Sequence, residues 1–254
     1  LLEAEGEAGP EIYCVANSKD QADSVFNECV NMWAQSPALQ KITKKRRSDI
    51  YCPRNFGFIQ ALAAKTDTLD GKNAHFVCQD EPHEQRNSKL YDVMKQSQSF
   101  REQPLYWIIS TNGSVREGFF DSKYQMYSAV ALWQDGFQDY TVLPLIYELD
   151  SREEWTDEKC WEKANPGLGT IKSLKTLREH VAQAKRDPSF LPTVLTKDFN
   201  IPENSAESWL RFEDIKNETV ADMDYLEHSY AIGGCDLSAT TDLTCATLLI
   251  MKPN

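Results

Sequence analysis

The 254-residue chain has no run of eighteen or more apolar residues, so no membrane-spanning helix is expected. Its first residues, Leu1 to Ala8, carry neither a basic n-region nor a long apolar h-region, and no secretory signal is expected there. An initiator Met is also missing, and the chain is expected to begin partway through a helix. There is no C-x-x-C pair among the seven cysteines, an odd number. Cys14, Cys78, Cys235 and Cys245 lie inside apolar, strand-like runs. Buried thiols of a reducing compartment are therefore expected, in place of disulfides or zinc ligands. Internal repeats and low-complexity tracts are absent.

A phosphate-binding loop of the form G-x-x-x-x-G-K-[ST] is absent as well. Gly167-Leu-Gly-Thr-Ile-Lys-Ser173 looks like one only superficially. Its spacing is wrong and no buried strand precedes it, so Asn165-Pro166 should open a turn before a helix. Positive charge is scarce too. The formal net charge is −12, which for the whole molecule argues against phosphate binding. One basic cluster stands out, Lys41, Lys44, Lys45, Arg46 and Arg47, readable as a solvated face or as a contact to DNA.

What is present suffices for a folded core. Apolar residues make up 41% of the chain and charged residues 26%, both ordinary for a globular protein. Glu11 to Ala16 is a short apolar run, expected as a buried strand. Asn17 or Ser18 should cap a helix through Val25, Cys29 and Met32, ended by Pro37. Short strands broken by Pro53, Asn55 and Gly57 are expected over residues 50–64, then a turn at Thr68–Asn73. Ala74 to Glu81 is an apolar strand ending in two carboxylates. A helix should follow over residues 84–97, then a buried strand from Leu105 to Ser110. A helix is expected from Phe119 through Leu132, and a strand from Val142 to Leu149. Alternating strands and helices predict an α/β fold with a doubly wound, mostly parallel sheet. Residues 150–217 are charged, Trp-rich and interrupted by Pro166, Pro188, Pro192 and Pro202, which suggests a helical connector. Tyr230 to Met251 should form two strands around Ser238–Asp242.

Three segments can carry chemistry. Asp80-Glu81 at a strand end has the form of a Walker B element: one carboxylate near a nucleotide-bound Mg²⁺, its neighbour near the attacking water. Ligands bind at the carboxyl ends of parallel strands, so the position fits. The bland alternative is a pair of surface acids. Ser110-Thr111-Asn112-Gly113 closes the next strand and offers hydroxyls for sensing a phosphate, or is a plain turn. Asp236, in Gly233-Gly-Cys-Asp-Leu-Ser238, sits where a two-metal nuclease of the RNase H-like type places its first ligand. Asp242 lies six residues on and is either an auxiliary ligand or a turn acid.

These residues, in this order, resemble the large terminase family of tailed phages and prophages. Glu11-Ile-Tyr-Cys-Val-Ala16 with Gln21-Ala22 looks like the strand and helix after the family's phosphate loop, and Ser36-Pro-Ala-Leu39 follows. Thr68-Leu-Asp-Gly-Lys-Asn73 precedes Asp80-Glu-Pro-His-Glu84, similar to the D-E-x-H-E form of the Walker B element. Ile109-Ser-Thr-Asn-Gly113 resembles the coupling motif. Trp161-Glu-Lys-Ala-Asn-Pro-Gly-Leu-Gly169 is similar to W-x-x-A-N-P-x-L-G. Gly234-Cys-Asp-Leu-Ser238 with Asp242-Leu-Thr244 looks like the opening of the nuclease.

The resemblance implies a P-loop ATPase over residues 1–150, a connector over 151–228 and the first hairpin of an RNase H-like nuclease over 229–254. It implies ATP with Mg²⁺ held by Asp80, Glu81 polarising water, and Ser110 and Thr111 coupling hydrolysis to DNA movement. It implies two Mg²⁺ or Mn²⁺ in the nuclease, held by Asp236 with Asp242 as a further candidate. The expected partners are double-stranded DNA, a portal protein and a small terminase subunit, within a homo-oligomeric ring on a procapsid in the host bacterial cytoplasm, with no membrane. The phosphate loop is expected upstream of Leu1 and the remaining nuclease acids beyond Asn254. Neither activity is therefore expected of these 254 residues alone. The competing readings are another helicase-like P-loop ATPase and a degenerate prophage remnant or binding fragment.

Overall fold

The computed structural model describes residues 2, 6–62, 69, 71–85, 87–113, 118–203, 227, 229–236 and 245–251. The chain divides into two compact units, Leu1–Ser208 and Trp209–Asn254.

The larger unit is built on a six-stranded sheet. Its strands are β1 (Glu11–Val15), β2 (Lys44–Lys45), β3 (Asp49–Tyr51), β4 (Phe58–Leu62), β5 (Ala74–Asp80) and β6 (Leu105–Ile109), in the spatial order β2-β3-β4-β1-β5-β6. The four strands β4, β1, β5 and β6 run parallel, while β2 and β3 add an antiparallel flap at one edge. The period-2 alternation of β1 sends its side chains to two cores. Tyr13 and Val15 pack with Val77, Leu90 and Met94 on one face, and Cys14 and Ala16 pack with Ala22, Phe26 and Ile50 on the other. The sheet is thus doubly wound, with α1 (Lys19–Gln35) covering one face and α3 (Lys89–Gln96) the other.

Helix α1 starts at a capping box. Ser18 Oγ accepts the Gln21 N–H, and the Gln21 side chain accepts the Ser18 N–H. Pro37 does more than end this helix. With Ser36 as cap it opens a second one, α2 (Pro37–Ile42), because the first helical position needs no N–H. The helix expected over residues 84–97 begins later, at Lys89. A 3₁₀ turn at Pro82–Glu84 and an extended Gln85 intervene. Helix α4 (Phe119–Ala131) lies where the sequence placed it.

Three further expectations are corrected. β6 is an edge strand, with Leu105, Trp107 and Ile109 each between 41 and 48% exposed, so it is not buried. No strand forms over Val142–Leu149. Its exposure alternates, but the segment finds no ladder partner, and the Leu149 N–H donates to the Phe199 carbonyl of the connector. Cys235 is exposed, unlike the buried Cys14 and Cys78.

The helical segment expected as a connector has a core of its own, where Trp161, Leu177, Val181, Val194 and Phe199 pack together around α5 (Trp161–Ala164), α6 (Leu174–Arg186) and α7 (Leu191–Thr193). Gly167–Lys172 is the expected turn before a helix, with Gly169 at φ +86° and Ser173 capping α6. The smaller unit holds an antiparallel pair, β7 (Tyr230–Asp236) and β8 (Cys245–Met251), in a register that sets Asp236 opposite Cys245. Among the described residues no helix is long and apolar enough to cross a membrane.

Candidate functional site

β5 lies between β1 and β6, and its last residue, Asp80, pairs with Ile109 at the end of β6. The adjacent ends of the two strands set Asp80-Glu81 beside Ser110-Thr111. Glu81 leaves the strand at φ +50°, ψ +47°, a left-handed conformation that costs an ordinary side chain roughly 1–2 kcal/mol. Its N–H donates to the Ile109 carbonyl at 2.9 Å, and its own carbonyl accepts the Glu84 N–H, closing the 3₁₀ turn.

The turn tucks His83 beneath the end of β6. The ring is 5% exposed, with Nδ1 3.1 Å from Ser110 Oγ and 2.7 Å from Glu81 Oε2. Glu81 Oε2 is buried and accepts no hydrogen bond, so its contact with the ring is electrostatic and off the N–H direction. Ser110 Oγ donates to the Thr111 carbonyl, whereas Thr111 Oγ1 is buried with no hydrogen-bond partner. Asn112, 2% exposed, is clasped by the connector. Its N–H donates to Asn200 Oδ1 and its Nδ2 to the Asn200 carbonyl, each at 2.7 Å.

The electrostatics suit a cation. Burial, then the neighbouring Glu81 charge, push the Asp80 carboxyl above its ordinary range. Glu84 is held below the usual carboxylate range chiefly by the Gln21 side chain, 3.0 Å away at the start of α1. No group of three or more His, Cys, Asp or Glu that could hold a metal exists among the described residues. Mg²⁺ bound together with phosphates needs only one or two carboxylates. Asp80 fits such a role.

At the other candidate centre only the backbone speaks. Asp236 ends β7 in the separate smaller unit, and Asp242 lies outside the described residues. Two of the five residues of the basic cluster are engaged within the fold. Arg46 forks onto Asp49 and stacks on Tyr51 at 4.0 Å, and Lys45 lies over Phe26. Sequence reasoning gave no role to His83, Lys197 or Asn200, all of which reach the site. Only the two-residue spacing of Glu81 and His83 hinted at one of them.

Residues 1–129 match the family of the terminase large subunit ATPase domain, and residues 137–254 match that of the terminase large subunit endonuclease domain. The chain belongs to the terminase large-subunit family. This terminase chain is 27% identical to the terminase large subunit of Enterobacteria phage HK97 over 98% of its own length and 48% of the relative's. It is 23% identical to the terminase large subunit of Lactococcus phage SK1, covering 96% of this chain and 45% of that one. It thus spans about half the length of these curated relatives. The crystal structure of the HK97 large terminase superposes with a TM-score of 0.68 at 26% identity, covering 80% of this chain and 42% of that one.

Proposed function

We propose that the full-length terminase hydrolyses ATP at the ends of β5 and β6 to drive double-stranded DNA into a procapsid, and cuts concatemeric DNA with a nuclease that begins at β7. The observation that carries the first half is the placement of Asp80 and Glu81 at the carboxyl end of a central parallel strand, beside the Ser110–Gly113 loop. Asp80 would hold Mg²⁺, which would supply positive charge to offset the negative charge of the phosphates. The Glu81 side chain is 31% exposed, so it remains open to accept a proton of the attacking water. Ser110 and Thr111 would pass the state of the phosphate to the loop that carries Asn112, and through Asn200 to the connector. We assign residues 1–150 to the ATPase, 151–228 to the connector and 229–254 to the start of the nuclease.

Asp236 would be the first ligand of two Mg²⁺ or Mn²⁺, with Asp242 as a further candidate. The portal protein, the small terminase subunit and a homo-oligomeric ring in the host cytoplasm complete the proposal. A helicase-like ATPase would not account for the endonuclease-family match over residues 137–254.

The test is a pair of substitutions in the full-length protein. Glu81→Gln should lower ATP hydrolysis by at least about 100-fold, the usual scale for a lost general base, and leave DNA cutting intact. Asp236→Ala should do the reverse. Normal hydrolysis by Glu81→Gln would remove the ATPase assignment.

A further inference from the structure

We propose that His83 is a positioning residue of the ATP site. One of its ring nitrogens restrains the Glu81 carboxylate and the Ser110 hydroxyl together, and the other faces the Lys197 ammonium of the connector. The proposal rests on the reading of Glu81 as the group that polarises water.

Three sides of the ring are fixed. Nδ1 lies between Glu81 Oε2 at 2.7 Å and Ser110 Oγ at 3.1 Å, while Nε2 is 3.5 Å from Lys197 Nζ. Phe120 of α4 meets the ring edge-on. Gly113 makes the space for it: a Cβ there would sit 2.1 Å from His83 Cδ2, so no other residue type fits without moving the ring. A histidine this buried has no freedom to act as a surface charge.

The hydrogen bonds select a tautomer. The Ser110 hydroxyl already donates to the Thr111 carbonyl, so its oxygen is left to accept from Nδ1–H. Nε2 then carries the lone pair, which faces the Lys197 ammonium. A cation on that side polarises the ring and strengthens Nδ1–H as a donor toward Ser110 and its pull on Glu81. Glu81 Oε2 accepts no hydrogen bond, so the His83 contact is what restrains it.

Lys197 stands three residues before Asn200, which clasps Asn112 with two hydrogen bonds. Any displacement of this connector segment from the β6 loop must therefore move Lys197 as well. His83 makes the direction of the Glu81 side chain depend on where the connector sits. Glu81, the phosphate-side loop and the connector are joined through a single ring.

The test has two arms. In the 254-residue chain, nitrogen-15 NMR of the imidazoles distinguishes only four histidines. Lys197→Met, Ser110→Ala and Gly113→Ala should each shift the His83 ring nitrogens and leave His180 in place. In the full-length protein, His83→Ala should lower kcat for ATP by about 10–100-fold with KM changed less than about twofold, the signature of lost positioning with binding retained. His83→Asn, whose amide nitrogen replaces Nδ1, should recover kcat to within about threefold of the parent. Lys197→Met, an exposed residue, should lower kcat by about threefold without changing Tm.

Unchanged His83 resonances in all three variants would overturn the proposal. So would an unchanged kcat in His83→Ala, or His83→Asn no better than His83→Ala at equal Tm. If Glu81→Gln hydrolyses normally, the ATP reading fails and takes this one with it. If Glu81→Gln is inactive and His83→Ala is not, only the positioning role fails.

Discussion

Asp80 and Asp236 hold the same formal position, the last residue of a seven-residue strand, in opposite settings. β5 has parallel neighbours on both sides, and its Val77 and Gln79 are fully buried. Among the described residues β7 pairs only with β8, two of its central residues are glycines, and Ile232, Leu248 and Leu249 are 67–72% exposed. A two-stranded ribbon is marginal in water because it buries too little apolar surface to offset the entropy of ordering it. The contrast shows how differently the fold can surround a strand-end carboxylate. At β5 the fold supplies a strained turn, a buried imidazole, a hydroxyl loop and a second acid. At β7 it fixes only the register.

The contrast breaks most easily through the core. Met94 of α3 is fully buried against Tyr13, Val15 and Val77. Met94→Ala should cost about 2–5 kcal/mol, the transfer of the side chain plus the cavity it leaves. Ile232→Ala in β7, with two thirds of the side chain in solvent, should stay within about 0.5 kcal/mol. Denaturant unfolding of the two variants compares them directly. Equal losses would mean that the exposed face of the hairpin is covered in solution, and the distinction would collapse.

A polar anchor gives the next effect. Arg101, 6% exposed, donates to the carbonyls of Ala8, Gly9 and Asn73 and pairs with Glu7 at 3.1 Å. It ties the segment before β1 to the segment after α3. Arg101→Met should cost about 3 kcal/mol, because it strands a half-buried carboxylate and three carbonyls. Burial works against the charged form of Glu7. The Gln103 N–H, the Arg101 guanidinium, His75 and the Glu102 N–H outweigh it and hold Glu7 below the ordinary carboxylate range. A depressed carboxylate stabilises the fold above its unfolded pKa, and that contribution disappears as pH falls through the folded value. Acid unfolding should therefore be shallower below about pH 4.5 in Glu7→Gln, whose stability at neutral pH is already reduced. Parallel acid curves for the parent and Glu7→Gln would rule out this source of pH dependence.

The connector clasp comes third. Asn200 sits at φ +57°, so Asn200→Gly keeps the backbone conformation and removes the side-chain bonds to the Asn112 N–H and the Tyr147 carbonyl. A loss of about 1–2 kcal/mol is expected, with hydrogen exchange accelerated at Asn112 more than at β5 amides. Equal acceleration at both would show a general loosening rather than a local latch.

Much of the sheet was legible because its signals are local. The apolar run of β1, the Ser18 cap and the acidic end of β5 each declare themselves within six residues. The strand expected at Val142–Leu149 shows the limit of that logic. Its exposure does alternate with period two, but pairing is decided by a distant partner, and Phe199 takes the Leu149 N–H instead. The same holds at the site. Asp80, Glu81, Ser110 and Thr111 were singled out as strand-end residues, and β5 and β6 pair so that Asp80 lies beside Ile109. Lys197 and Asn200 stand 114 and 88 residues from their partners, His83 and Asn112. No local pattern could join them. His83 was visible in the motif, but its role depends on the ring of contacts that only the fold assembles.

The smallest expected effect isolates the approach to the site from α1. Ser18 caps that helix, and its reciprocal partner Gln21 also donates to Glu84 at 3.0 Å. Ser18→Ala should cost about 1 kcal/mol, the usual value of an N-cap hydroxyl. It should also loosen Gln21, because the Ser18 hydroxyl and N–H both bond the Gln21 side-chain oxygen. Glu84 would then lose part of the hydrogen bonding that lowers its pKa, and its titration, followed by carboxyl carbon-13 NMR, should move upward toward the ordinary value. Gln21→Ala should produce the same upward movement with Ser18 intact. If Ser18→Ala destabilised the chain without moving Glu84, the cap would serve the helix alone, and the acid of the Pro82–Glu84 turn would be held by Asn17 and its own surroundings.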